Sequence, residues 1–142
     1  MSTPNGRANF TEEQILAIRI RHNPAYWFAL HGVIKDRKGK VEAKRKMNIV
    51  QQRLVEGYVQ ATIEGKPFKA LGLKPRKVGL STGVNMITYH HMRANPGLKG
   101  ALMADKSGTA DVIFEMFRTF AENDTFDWAD GCKPLAKKGE PG

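Results

Sequence analysis

Residues 74–82 read Lys-Pro-Arg-Lys-Val-Gly-Leu-Ser-Thr: three cations, then a glycine, then two hydroxyls. That set can handle a phosphate. Gly79 would let the backbone approach an anion closely. The amides of Leu80, Ser81 and Thr82 would lie at a helix N-terminus, where unpaired N–H groups favour negative charge. A hydroxyl of Ser81 or Thr82 could reach magnesium, and Lys74, Arg76 or Lys77 could supply positive charge. The ordinary phosphate-loop pattern is G-x-x-x-x-G-K-[ST] between a strand and a helix. In that frame Lys74 replaces the first glycine and Leu80 the lysine, so the bare pattern fails. The residues alone leave two readings open, a variant phosphate site and an ordinary strand-to-helix turn with solvated charges.

Other chemistry-bearing residues point to less. His90 and His91 are adjacent, so on a helix they diverge by about 100° and do not form the i, i+4 pair of a zinc helix. Asp105, Asp111, Asp124, Asp127 and Asp130 follow no calcium-loop spacing and read as a solvated acidic surface. Cys132 is the only cysteine, which excludes an intrachain disulfide and a multi-cysteine zinc site. Trp27 and Phe28 precede a basic stretch, as in single-strand binders, but they fit a core anchor better.

The elements that position these residues follow from spacing. Thr11 and Gln14 form a capping-box pair, so a helix starts there and runs to Ile20 before Asn23-Pro24. Residues 26–47 read as strand, turn and strand, with Gly39 at a heavily charged tip. Asn48 opens a second helix with Gln51 at its third position, ending near Gly65-Lys66-Pro67. Phe68–Lys74 reads as a short strand, Ser81–Arg93 as a helix and Ala101–Ala104 as a buried parallel strand. Thr109–Ala121 has the best helical period, with Ile113, Phe114, Phe117 and Phe120 on one side. Strand, loop, helix, strand, loop, helix is the unit of a parallel α/β sheet.

A length of 142 residues allows one modest core. Apolar residues make up 41% and charged residues 26%, and no apolar run reaches the length of a membrane span. No secretory signal precedes the first helix. The net charge of +9 is segregated. Residues 35–77 hold 13 basic and 4 acidic residues, while residues 105–130 hold 2 basic and 7 acidic. A basic segment of this kind suits phosphates, whether of a nucleotide or of nucleic acid.

The series of motifs resembles the large terminase subunits, the ATP-driven DNA-packaging motors of tailed bacteriophages. Residues 74–82 look like that family's deviant phosphate loop, although Lys77 stands where glutamine is usual. Phe28–Lys40 is similar to its upstream segment, and Asn48-Ile49-Val50-Gln51 to its Asn-x-x-Gln signature. Ala101–Lys106, Thr109-Ala110 and Phe114 resemble the strand and helix after the loop. The resemblance spans residues 26–122.

It implies a function residue by residue. Gln51 would contact adenine. Arg76, helped by Lys74 or Lys77, would replace the missing lysine on the phosphates of ATP. Gly79, Leu80 and Ser81 would wrap those phosphates beside Thr82, and Ser81 would help hold Mg2+. The implied fold is α/β: the N-terminal part of a P-loop ATPase domain with an incomplete parallel sheet, preceded by helices and a basic hairpin. Residues 1–122 would be that partial domain, with 1–47 the helix and hairpin and 48–122 the nucleotide-binding part; 123–142 would be an irregular tail. Partners would be double-stranded DNA, a small terminase subunit and a portal protein, in the host cytoplasm. The acidic hydrolysis strand and the nuclease are missing. Val112-Ile113-Phe114-Glu115 lies within a helical pattern, so no catalytic residue is assigned and the chain reads as a fragment. The alternative is a small basic DNA-binding or structural assembly protein without a nucleotide site.

Overall fold

The computed structural model describes residues 9–35, 38–43, 46–72, 79–101 and 103–128. Helix α1, Glu12–His22, starts where its capping box requires: the Thr11 hydroxyl accepts from the Gln14 N–H and the Gln14 side chain accepts from the Thr11 N–H. Asn23 ends α1 and caps helix α2, Pro24–His31, through a bond from the Ala25 N–H to its side chain. The Asn23-Pro24 pair thus starts a second helix as well as stopping the first. Proline at the first helical position loses nothing, because that N–H is unpaired in any helix. The aromatic run 26–31, expected to be extended, is therefore helical.

Strands β1, Val33–Lys35, and β2, Val41–Ala43, pair antiparallel with Ile34 opposite Glu42. Gly39 lies between them with φ 80°. Helix α3, Ile49–Ile63, repeats the capping box with Asn48 and Gln51. Helix α4, Leu80–Ala94, and helix α5, Ser107–Asn123, complete the order.

Helix α4 is central, packed against each of the other four helices, and β1 rests on α5. Its buried residues Gly83, Met86, Ile87, Tyr89 and His90 cover much of its circumference. Gly83 permits the approach of α3, since a Cβ there would sit 3.3 Å from both Gln51 Cγ and Leu54 Cδ2. The core is aromatic. Trp27 is fully buried, 5.0 Å from the Tyr89 ring and 5.6 Å from Phe120, the latter edge-on. Edge-on and offset ring pairs are favoured by the aromatic quadrupole. Trp27 and Phe28 are thus core anchors and not base-stacking platforms.

The expected α/β class is corrected by this topology. Among the described residues the one sheet is the two-stranded antiparallel β1–β2. Residues 68–72 and 101, 103 and 104 form no strand, and Leu71 and Met103 are 95% and 92% exposed. Parallel strands need neighbours to bond their backbone and helices on both faces. Here the described residues of the two candidates have no strand neighbour, and α4 and α5 pack directly on one another.

Candidate functional site

The residues singled out around 74–82 gather only in part at the start of α4. Lys74, Arg76 and Lys77 lie outside the described residues. Gly79 caps α4 in the left-handed conformation, φ 74°, with no side-chain cap. The space above it is filled from α3, because a Cβ on Gly79 would meet Gln51 Nε2 at 2.9 Å and Asn48 Nδ2 at 3.0 Å.

Gln51 is 1% exposed. Its Oε1 accepts from the Asn48 N–H at 3.1 Å, and its Nε2 donates to the Gly79 carbonyl at 3.0 Å. The amide expected at an adenine edge here ties the start of α3 to the start of α4. Successive residues of a helix diverge by about 100°, and the expected anion-binding residues are split accordingly. Leu80 and Ser81 line an open groove between α4 and α5 with Met103, Phe114 and Phe117. Thr82 faces a separate cavity of about 260 Å3 lined also by Ile34, Val112 and Phe120. The described residues therefore do not fit a nucleotide with its magnesium around a single cradle.

No group of three or more His, Cys, Asp or Glu side chains able to hold a metal occurs among the described residues. His90 and His91 have structural partners: His90 Nε2 is 2.6 Å from the Ile20 carbonyl, and His91 Nδ1 is 2.7 Å from the Tyr58 hydroxyl. Burial governs His90 and outweighs the bond to Ile20, which acts the other way. It holds the ring well below the ordinary histidine value of 6.5, at about 4.

The densest polar centre was not among the expected sites. Asp124 Oδ1 accepts from Trp27 Nε1 at 3.1 Å and from the Phe126 N–H at 3.0 Å. Its Oδ2 accepts from the Tyr89 hydroxyl at 2.7 Å and from Trp128 Nε1 at 2.8 Å. Burial and this carboxylate push the Tyr89 phenol upward. The signal in the sequence was indirect: buried Trp and Tyr need polar partners, and few acids lie near enough to serve them. All four donors are committed, so the centre is structural.

The β1–β2 ribbon and the residues beside it present accessible charge. Every residue of β2 is exposed, as are Lys35, Lys38, Lys40 and Lys46. Lys35 lies 3.8 Å from Glu115 of α5, and Lys40 lies 3.7 Å from Glu42. Both are exposed ion pairs in high dielectric, and an anionic partner can displace them at small cost.

No family model, curated protein or solved structure matches the chain. The resemblance to terminases therefore rests on its residue series alone. The sheet topology overturns the functional expectation drawn from it: an ATP-binding P-loop core, and with it the hydrolase and packaging motor, is not what the described residues build. No helix among them is long and apolar enough to cross a membrane.

Proposed function

We propose that the chain is a small basic DNA-binding module whose β1–β2 ribbon approaches duplex phosphates. The observation that carries this reading is the segregation of charge. The 13 basic residues of segment 35–77 face only 4 acidic ones, and the ribbon stands at the start of that segment with its outer strand exposed. A two-stranded ribbon is narrow enough to enter the major groove. Phosphate contacts by Lys and Arg release condensed counterions, so affinity falls steeply with salt. Base specificity is not part of the reading, because the described ribbon offers mainly charge.

The test is fluorescence anisotropy with a labelled 20-base-pair duplex between 50 and 200 mM salt, with and without ATP. About four phosphate contacts give a log–log salt slope of about −3 to −4. Lys38→Glu with Lys46→Glu should weaken binding at least about tenfold and flatten the slope by about 2. ATP should change nothing. No binding at 50 mM salt, or equal binding by the double variant, rejects the reading.

A further inference from the structure

After α5 the chain runs as an extended strap across α1, α2 and α4, and Trp128 closes it. Trp128 is 2% exposed. Its indole lies edge-on to His90 at 5.5 Å and to Phe126 at 4.8 Å, with the Arg93 guanidinium 5.7 Å from the ring. Its Nε1 donates to Asp124, and Arg21 of α1 donates to its carbonyl.

His90 sits beneath this closure at 1% exposure. A carbonyl can only accept, so the ring N–H that meets Ile20 must be on Nε2. The neutral ring then leaves Nδ1 as a bare acceptor, and Nδ1 is buried with no hydrogen-bond partner. A proton there would create a buried cation with nothing to pair it. The surroundings make it worse. His22 of α1 and His91 of α4 both oppose a positive charge on the ring; the Ile20 carbonyl and, more weakly, Asp124 favour one, and burial outweighs them. Arg21 of α1 and Arg93 of α4 add positive charge at Trp128. Asp124 is already shared among four donors. Helix α2 turns His31 toward the strap, where Nδ1 lies 2.9 Å from the Thr125 hydroxyl, and α3 turns Tyr58 toward His91.

We propose that His90 is an acid-operated latch: protonation at Nδ1 releases segment 124–128 from the helices and uncovers an aromatic surface formed by Trp128, Phe126 and the edges of Trp27 and Tyr89. The proton comes from solvent and no bond other than hydrogen bonds changes. Release lets Nδ1 reach water and lets Asp124 leave its buried donors. The low proton affinity of the closed state sets the size of the effect. With a closed value of about 4 and an open value of 6.5, the opening constant rises about 70-fold between pH 7.5 and pH 4.5.

Amide hydrogen exchange of the full chain, corrected for intrinsic rates, measures this opening. Protection of residues 125–128 should fall about 70-fold over that range, while far-ultraviolet circular dichroism stays constant. His90→Phe keeps a ring against Trp128 but cannot take a proton, so its strap should keep its protection. Unchanged protection in the wild type overturns the proposal. So does an equal loss in H90F, which would assign the transition to His22, His31, His91 or Asp124. Should H90F not fold, the assigned His90 ring resonances of the wild type decide. The strap must open with the same midpoint as His90 titrates, and a different midpoint overturns the latch.

Discussion

Asp124 accepts from donors on α2, on α4 and on the segment that follows α5. Removing its carboxylate leaves two indole N–H groups and a phenol unpaired in the core, each costing about 1–3 kcal/mol. Asp124→Ala should therefore lose about 3–5 kcal/mol in urea unfolding, and Asp124→Asn less, since it keeps one acceptor oxygen. Its spacing among acidic residues made it look like solvated surface, because periodicity does not reveal what a residue outside a helix touches. Gln51 shows the opposite case. Its place at the third position of a helix after Asn48 was legible, and the capping box formed as spaced. Its second bond, to Gly79, joins residues 28 apart and left no local signal. That contact makes Gly79→Ala costly twice over, through the left-handed φ of 74° and the 2.9 Å approach of Gln51 Nε2. The expected loss is about 1–3 kcal/mol, measured by the shift in urea midpoint at constant slope. An unchanged midpoint would mean that α3 and α4 are not clamped at their starts.

At the level of elements, caps and 3.6-residue spacing located α1, α3, α4 and α5 but not α2, and the two strands expected of a parallel sheet did not form among the described residues. The difference is physical. A helix satisfies its backbone within itself, so its evidence is local. A strand is satisfied only by a neighbour, and the runs at 68–74 and 101–104 have the composition of strands, but their described residues have no strand partner. The hairpin succeeded because a short turn brings its partner with it. Residues 24–31 are helical for another reason: Asn23-Pro24 stops α1, and Asn before Pro is also a start signal. Met103 separates the expected arrangement from the observed one. In a buried strand its truncation would cost about 2–5 kcal/mol. At 92% exposure Met103→Ser should change stability by less than about 0.5 kcal/mol in the same urea assay. A large loss would restore the buried strand.

For the whole molecule, two separate charge systems act, one inside and one outside. Inside, His90 links stability to pH. Its folded value of about 4 lies below the ordinary 6.5, so above pH 6.5 neither state binds the proton and stability is complete. As pH falls from 6.5 to about 4 the unfolded chain takes a proton that the folded chain refuses, and stability declines. The full loss is about 3 kcal/mol, and urea unfolding at pH 7 and pH 4.5 should capture most of it in the wild type and little in H90F. Outside, the basic segment and the acidic stretch 105–130 are bridged by Lys35 and Glu115, both about half exposed. Exposed pairs contribute about 0–1 kcal/mol and are screened by salt. The fold rests on the aromatic core and the partly buried Asp124 centre, whose short-range contacts added ions screen little. Raising salt from 50 to 200 mM should thus leave the unfolding midpoint almost unmoved, while duplex affinity falls about 100-fold. If both respond to salt together, the surface charges are supporting the fold and the ribbon is not a separate binding element. If stability holds and affinity collapses, the charge of segment 35–77 serves a partner outside the chain.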